Sequence, residues 1–390
     1  MPNFTLNKVS QKMRMLPKNE IILIFPLSTL SKRTRLTKIA RIATDLGLQI
    51  STWSWERVPG EGNQELNIQF NERCALMTGG GYALGKKKIL YMKWMWVVFA
   101  RLLRFRPTGP IYCLGFETAF PAWLASKIIR LQYIFDDADR FSLLIRFPFI
   151  FNKLVQFFER KTSEGSIVNI IPGYERYEFR NSKQRILKNH PDAKTLSLSK
   201  TISVERPVAD LVIYVNGWMG ETRGMPIINK LAQRLNGIDN ICFIAAGRVD
   251  GESAKSFINQ PNVSYKGEIS NAEALSLYQI VDLVFTYYDP VVEINRFAES
   301  NKWGDCLAFA VPPIVNMEVV TAEYLRNKSA CLSIAYHDVD GLELEIKNFA
   351  LHPQSLDILK KNINSLTSHI EYFDNGVKNI FQEVYNDSSK

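Results

Sequence analysis

The segment Arg296–Val315 reads RFAESNKWGDCLAFAVPPIV, and the order of its parts decides how the second half of the chain is read. Ser300 or Asn301 can cap a helix running to Ala310, and the apolar run around the paired prolines then reads as a strand. Lys302 and Asp305 stand three residues apart, on one face of that helix just inside its start. Unpaired N–H groups of a first helical turn favour anions. A lysine there runs against the preference for acids at that end, so the pattern points to an anionic ligand. A surface ion pair between the two is the competing reading.

Working outward, the glycine turn Gly217–Gly224 (GWMGETRG) follows the apolar strand Leu211–Val215 and puts Arg223 in a loop before a helix near Pro226. Glycines let a backbone approach a ligand closely, though any single one more often only makes a turn. A diphosphate needs cations and free N–H groups, and a ribose diol needs a carboxylate acceptor; the two loops supply all three.

The same alternation extends both ways. Further strands are expected at Ile241–Ala246, Val263–Tyr265 and Leu283–Tyr287, with helices at Pro226–Leu235 and Asn271–Ile280. Upstream, Ile21–Pro26, Gln49–Trp55, Leu66–Phe70, Ile111–Phe116, Tyr133–Phe135 and Ser166–Ile171 read as strands. Arg35–Gly47, Ile89–Phe105, Pro121–Arg130 and Phe149–Arg160 read as helices. This predicts an α/β protein of two tandem Rossmann-like domains facing a central cleft. The first domain spans 1–191, a polar, aperiodic linker 192–206, the second domain 207–365, and a helical tail 366–390 returns to the first domain.

At 390 residues, with 46% hydrophobic and 22% charged residues, the chain fits two globular cores. Its five cysteines lie singly in apolar surroundings without a C-x-x-C pair, which predicts reduced buried thiols rather than disulfides or zinc. No secretory signal is evident, so a cytoplasmic chain is expected. Residues 1–200 hold 32 Lys+Arg against 15 Asp+Glu, and the remainder hold 16 against 24. No zinc finger, RNP-type strand or sustained basic helix accompanies the basic half, so nucleic acid is not expected as a partner.

These residues resemble a family. The second half is similar to the family-4 glycosyltransferases of the two-Rossmann-domain (GT-B) type. Gly217, Arg223 and Gly224 match its G-x5-K/R-G after the first strand of the donor domain. Asn301-Lys302-Trp303-Gly304-Asp305, followed by Val311-Pro312-Pro313-Ile314, matches its N-K-x-x-E … G-x-P-V-I segment. Asn262–Gly267 and Asn271–Tyr288 resemble the stretch between, and Arg35, Leu46-Gly47 and Asn189–Asp192 resemble shorter signatures of the first domain. The resemblance implies a glycosyltransferase using a UDP- or GDP-sugar without cofactor or metal. Arg223 and Lys302 would hold the donor diphosphate and serve catalysis, Asp305 would take the ribose hydroxyls, and Gly217, Gly224 and Asn301 would complete the donor site. It implies a retaining reaction in which the leaving phosphate takes the acceptor proton, on a glycan of the capsule or O-antigen kind. The chain departs from the pattern at Asp305 (for Glu), Phe297 (for Glu), Trp218 (for Arg) and Ala310 (for Gly). These departures leave open a degenerate binding subunit without catalysis.

Two other motifs compete. Gly80–Lys87 nearly matches a P-loop, but Lys87 stands where magnesium-binding Ser/Thr is required and Cys74–Thr78 reads as a poor strand. Asp137-Ala138-Asp139 resembles a metal-binding DxD, giving a metal-dependent transferase as an alternative. In the two-domain reading Asp136, Asp137 and Asp139 serve the acceptor side without metal, with Asp139 as the alternative catalytic base.

Finally, Lys86–Arg106 (KKKILYMKWMWVVFARLLRFR) and Leu144–Lys161 (LIRFPFIFNKLVQFFERK) mix cations with large apolar residues. Both are too short and too charged to span a bilayer but suit its interface. Peripheral contact with the anionic inner face of the cell membrane is expected through Lys86, Lys87, Lys88, Trp94, Trp96, Arg101 and Arg104. Ordinary core-facing helices flanked by charge are the competing reading. A lipid-linked glycan acceptor follows from the membrane reading.

Overall fold

The computed structural model describes residues 20–26, 34–58, 60, 68–81, 87–145, 147–237 and 240–387. It divides into two compact units, Met1–Leu187 with Asp374–Lys390, and Lys188–Phe373.

The first unit runs β1 (Glu20–Phe25), α1 (Thr34–Asp45), β2 (Gln49–Glu56), β3 (Phe70–Thr78), α2 (Lys87–Phe105), β4 (Ile111–Leu114), α3 (Phe116–Ser126), β5 (Tyr133–Asp136), α4 (Phe141–Leu144), α5 (Phe149–Gly165), β6 (Val168–Ile171) and β7 (Gln184–Ile186). Its seven strands pair in the order β3-β2-β1-β4-β5-β6-β7, all in parallel. A parallel sheet covered on both faces needs apolar residues on both, and β1 is buried along its whole length. Gly47, at φ 78°, ends α1 with the N–H of Leu48 on the Ala43 carbonyl, the left-handed stop that a glycine allows.

The segment Cys74–Thr78, read as a poor strand, belongs to β3. Its Asn-Glu-Arg run fits because β3 is an edge strand that, among the described residues, pairs with β2 alone, and only two of its nine residues are buried. Residues 82–86 of the glycine-lysine run lie outside the described residues, and Lys86 with them.

The second unit runs α6 (Ala193–Thr201), β8 (Leu211–Asn216), α7 (Met225–Arg234), β9 (Ile241–Ala246), α8 (Glu252–Ile258), β10 (Val263–Tyr265), α9 (Asn271–Ser276), β11 (Leu283–Phe285), α10 (Asn301–Phe309), β12 (Pro313–Asn316), α11 (Glu323–Arg326), β13 (Leu332–Ile334), α12 (Val339–Leu351) and α13 (Pro353–Ser365). Its six parallel strands order as β10-β9-β8-β11-β12-β13. Alternate residues of β8 feed opposite faces: Leu211, Ile213 and Val215 join one core cluster, Val212 and Tyr214 the other. The strand order turns back between β8 and β11, which makes their carboxyl ends the place where an open α/β sheet binds ligands.

The expected linker 192–206 is largely helical. Asp192 caps α6 by accepting the Thr195 N–H at 2.9 Å, and Gln279 donates to the Ser199 carbonyl at 3.1 Å, which ties that helix into the second unit. The chain ends with α14 (Phe373–Asp387), whose Phe381 meets Tyr112 edge-on at 6.4 Å and whose Glu383 accepts from Arg185 Nε at 3.0 Å, both in the first unit.

Candidate functional site

The loops leaving β8 and β11 build a pocket in the second unit. Gly217 (φ 84°) turns the chain out of β8, and a 3-10 turn over Glu221–Arg223 leads to Gly224 (φ 76°), where α7 begins. A Cβ on Gly224 would lie 2.5 Å from the Tyr287 Cβ, so no other residue fits while the loop packs on β11's end. Gly247, after β9, meets the Gly217 backbone just as closely, with Met219 N–H on the Arg248 carbonyl at 2.9 Å.

Arg223 is held by aromatic rings rather than by acids. Its guanidinium carbon lies 4.8 Å from the centre of the Tyr288 ring and 5.4 Å from that of Trp218, and its Nη1 is 3.4 Å from Asn295 Oδ1. Trp218 is fixed in turn by Asp250, which accepts its indole N–H at 2.8 Å. Asn295 also donates to the carbonyls of Thr222 (3.2 Å) and Asp289 (3.0 Å), clipping the β11 loop to the β8 loop.

Lys302, in the first turn of α10, reaches the same place: its Nζ would be 3.7 Å from a Cβ on Gly217. Asn216, Trp218, Arg223, Thr286, Tyr288 and Lys302 line one open pocket of about 280 Å³, counting space open to solvent. Among the described residues, neither Arg223 nor Lys302 has a carboxylate within ion-pair distance. Two cations with no carboxylate partner among the described residues, beside the start of a helix, offer chemistry suited to an anion.

Asn301 is exposed at the first position of α10. Ser300 occupies the cap position, but its hydroxyl makes no capping bond and is buried without a partner. The expected side-chain cap is therefore not made by Ser300. Asp305 approaches the Tyr278 hydroxyl at 3.5 Å, and that hydroxyl accepts from Asn216 Nδ2 at 3.3 Å. Asp305 thus connects to the pocket wall through Tyr278 and is not part of its lining. Burial first, and the Asp305 charge next, hold the Tyr278 phenol well above its ordinary pKa, so it stays protonated.

Ala310 ends α10 in the left-handed region at φ 53°, the conformation the family's glycine would adopt without strain. Phe297 closes a 3-10 turn, and the nearby acid Glu299 is ion-paired with Lys188 at 2.9 Å.

In the first unit the three acidic candidates separate. Asp136 is fully buried: Arg35 donates to both its oxygens (2.8 and 2.9 Å) and Tyr112 donates to one of them. It is structural and unavailable to an acceptor. Asp137 is also buried, accepting from the Tyr177 hydroxyl at 2.9 Å. Burial, then the nearby Glu159 charge, push its carboxyl well above the ordinary range. Only Asp139 is exposed, with 58% of its side chain accessible and Arg176 at 3.6 Å. Asp137 and Asp139 therefore serve different partners, against the metal-binding DxD reading. Among the described residues no three His, Cys, Asp or Glu are grouped to hold a metal ion.

The expected membrane residues also divide. Trp94 is fully buried beside Trp55 and faces no lipid surface, and Arg101 is partly buried over the rings of Trp53 and Phe105. Lys88, Trp96 and Arg104 are exposed, while nothing is described of the Lys87 side chain. Among the described residues no helix is long and apolar enough to cross a membrane.

No family model and no curated protein matches the chain. Solved structures do. A sucrose-phosphate synthase from Thermosynechococcus elongatus superposes with a TM-score of 0.65 at 11% identity, over 95% of this chain and 99% of that one. An E. coli trehalose-6-phosphate structure bound with UDP-2-fluoro glucose gives 0.63 at 8% identity, over 94% and 99%. A putative UDP-N-acetylglucosamine 2-epimerase from Listeria monocytogenes gives 0.60 at 10% identity, over 96% and 97%. The fold is GT-B. Two parallel sheets of seven and six strands, each wrapped by helices, are its two halves.

Arg223 and Lys302, singled out from sequence, line the same pocket, whereas the residues that place them were not singled out. Asn295 carries no motif, and Tyr278 and Tyr288 lie within the stretch Asn271–Tyr288 that resembles the family without being singled out there; their roles emerge only when β11 and its loop lie beside β8.

Proposed function

We propose that the chain is a glycosyltransferase that moves a sugar from a UDP- or GDP-sugar to a glycan acceptor. The observation that carries this reading is the pair Arg223 and Lys302, two cations without carboxylate partners among the described residues, lining one pocket at the turning point of a parallel sheet. In this reading they hold the donor diphosphate, with Gly217, Gly224 and the Asn301 turn letting the backbone approach it. Asp305 accepts from the ribose hydroxyls after leaving Tyr278.

The reaction breaks the bond between the sugar's anomeric carbon and the β-phosphate oxygen and forms one to an acceptor hydroxyl oxygen. The acceptor proton passes to the departing phosphate, and the configuration is retained. Arg223 and Lys302 stabilise the charge that grows on that phosphate. The acceptor is assigned to the first unit, where Asp139 is the exposed carboxylate and the alternative base. The acceptor is a lipid-linked glycan of bacterial surface polysaccharide synthesis, taken up at the cytoplasmic face of the membrane.

A second reading, a binding subunit without catalysis, is favoured by Trp218 and Phe297 at positions where the family carries Arg and Glu. Release of free UDP or GDP from a panel of nucleotide-sugars decides between them. Turnover supports the transferase, whereas a rise in melting temperature without any turnover supports the binding subunit.

A further inference from the structure

An exposed apolar face in the first unit, with α5 at its centre, has no role in donor binding. Phe149, Ile150 and Phe151 are 74, 79 and 60% exposed, and Leu154 and Phe157 continue the same side of the helix at half exposure. The opposite side carries the buried Glu159, Thr162 and Ser163. Helix α2 repeats the arrangement. Trp94, Val98 and Leu102 are fully buried, while Ile89, Met92 and Trp96 stand on the other face at i, i+3 and i+7, Trp96 at 67% exposure. The start of α2 lies beside the entry to α5, with Lys88 Nζ 4.8 Å from the centre of the Phe147 ring. Soluble monomers rarely leave so many large apolar residues together in water without a partner.

We infer that this face docks on an anionic phospholipid bilayer, the α5 aromatics entering the acyl boundary while the neighbouring cations meet the headgroups. The charge pattern selects that partner. α2 contains no acid at all, and its Lys88, Lys93 and Arg104 flank the apolar stripe. α5 contains two acids, both engaged: Glu159 with Arg140, and Glu164 with Arg160 and Lys161. Cations interleave with rings, Lys153 Nζ 4.5 Å from the Phe149 ring centre and Lys161 Nζ 5.9 Å from that of Phe157. Such cations can extend to headgroups while the rings sink below them. Neutral hydrogen-bonding side chains, which a protein partner would engage, are limited on α5's first three turns to Asn152 and Gln156. The surface is shifted from the one expected from sequence, since Trp94 faces inward and Arg101 is partly buried over Trp53 and Phe105. It stands independently of the donor-site reading.

The test is co-sedimentation of the full chain with vesicles of phosphatidylglycerol mixed into phosphatidylcholine, against phosphatidylcholine alone. Wild type should pellet with the anionic vesicles, weaken with added salt, and remain soluble with neutral ones. Phe149→Ser/Phe151→Ser should bind at least roughly tenfold more weakly while keeping the wild-type melting temperature, because both side chains are already in water. Trp96→Ser gives a second variant on the other helix. The inference is overturned if wild type stays soluble at every composition, or if the variants pellet like wild type. It is equally overturned if the double substitution instead dissolves a dimer seen by light scattering. Vesicle binding and nucleotide-sugar binding are read separately, so failure of one leaves the other standing.

Discussion

The Arg223 guanidinium stands 4.8 Å from the centre of the Tyr288 ring and 5.4 Å from that of Trp218, with no carboxylate paired to it among the described residues. Aromatic faces hold such a guanidinium without competing for its N–H donors, as a carboxylate neighbour would. Contacts of this kind contribute about 0.5–2 kcal/mol. We expect Tyr288→Leu and Trp218→Leu each to weaken binding of inorganic pyrophosphate by roughly 2- to 30-fold on that account, measured by calorimetry. Asp250→Asn, which weakens the hold on the Trp218 indole and removes the 3.8 Å ion pair with Arg248 without touching Arg223, should fall at the lower end.

Gly224 has two reasons to be glycine, its φ of 76° and the Tyr287 Cβ in the way of any side chain. Gly224→Ala should cost at least about 2 kcal/mol, combining left-handed strain with overpacking. Its urea midpoint should fall with an unchanged slope.

Ala310 is the opposite case, a side chain at φ 53° where glycine would relax. Ala310→Gly should raise stability by about 1 kcal/mol, read as a higher melting temperature. Nucleotide-sugar affinity should stay as in wild type, because Ala310 lies at the far end of α10 from Lys302.

Two buried acids predict opposite pH behaviour. Burial disfavours the Asp282 charge, but Arg206, Lys360 and the Val212 N–H outweigh it and hold the carboxyl below its ordinary range. Its contribution is complete above the unfolded value of about 4 and is lost as pH falls through the lower folded value. Asp282→Asn should therefore destabilise at neutral pH and flatten the acid limb of a stability profile. Asp137 is raised by burial and by Glu159. Its native state retains the proton, so stability falls as pH rises through the range between the unfolded and folded values. Asp137→Asn should leave neutral-pH stability equal or higher. It should also leave any transferase activity intact, whereas a metal-binding DxD would lose it.

The strands that reach both core faces were legible because they are continuous apolar runs; β1 and β8 are examples. What sequence missed lies where packing, not pattern, decides. β3 starts with Asn-Glu-Arg after Phe70 and is a strand because β2 offers it an edge. α6 has only Leu196 and Ser199 buried and owes its place to the Asp192 cap and to Gln279. α2 is apolar on two faces, so periodicity alone could not tell Trp94, which is core, from Trp96, which is surface. In the pocket, the cations were readable from spacing because a helix start and a glycine loop have sequence signatures. Asp136 looked equally available, but its burial under Arg35 and Tyr112 joins residues 101 and 24 positions away.

The central claim is that Arg223 and Lys302 together hold a nucleotide-sugar diphosphate. Calorimetric titration of wild type, Arg223→Ala and Lys302→Ala with UDP- and GDP-sugars tests it most directly. Loss of a charge-assisted bond is worth about 1.5–3 kcal/mol, so each variant should bind at least roughly tenfold more weakly while melting as wild type does. Wild-type affinity retained in both variants would contradict the account.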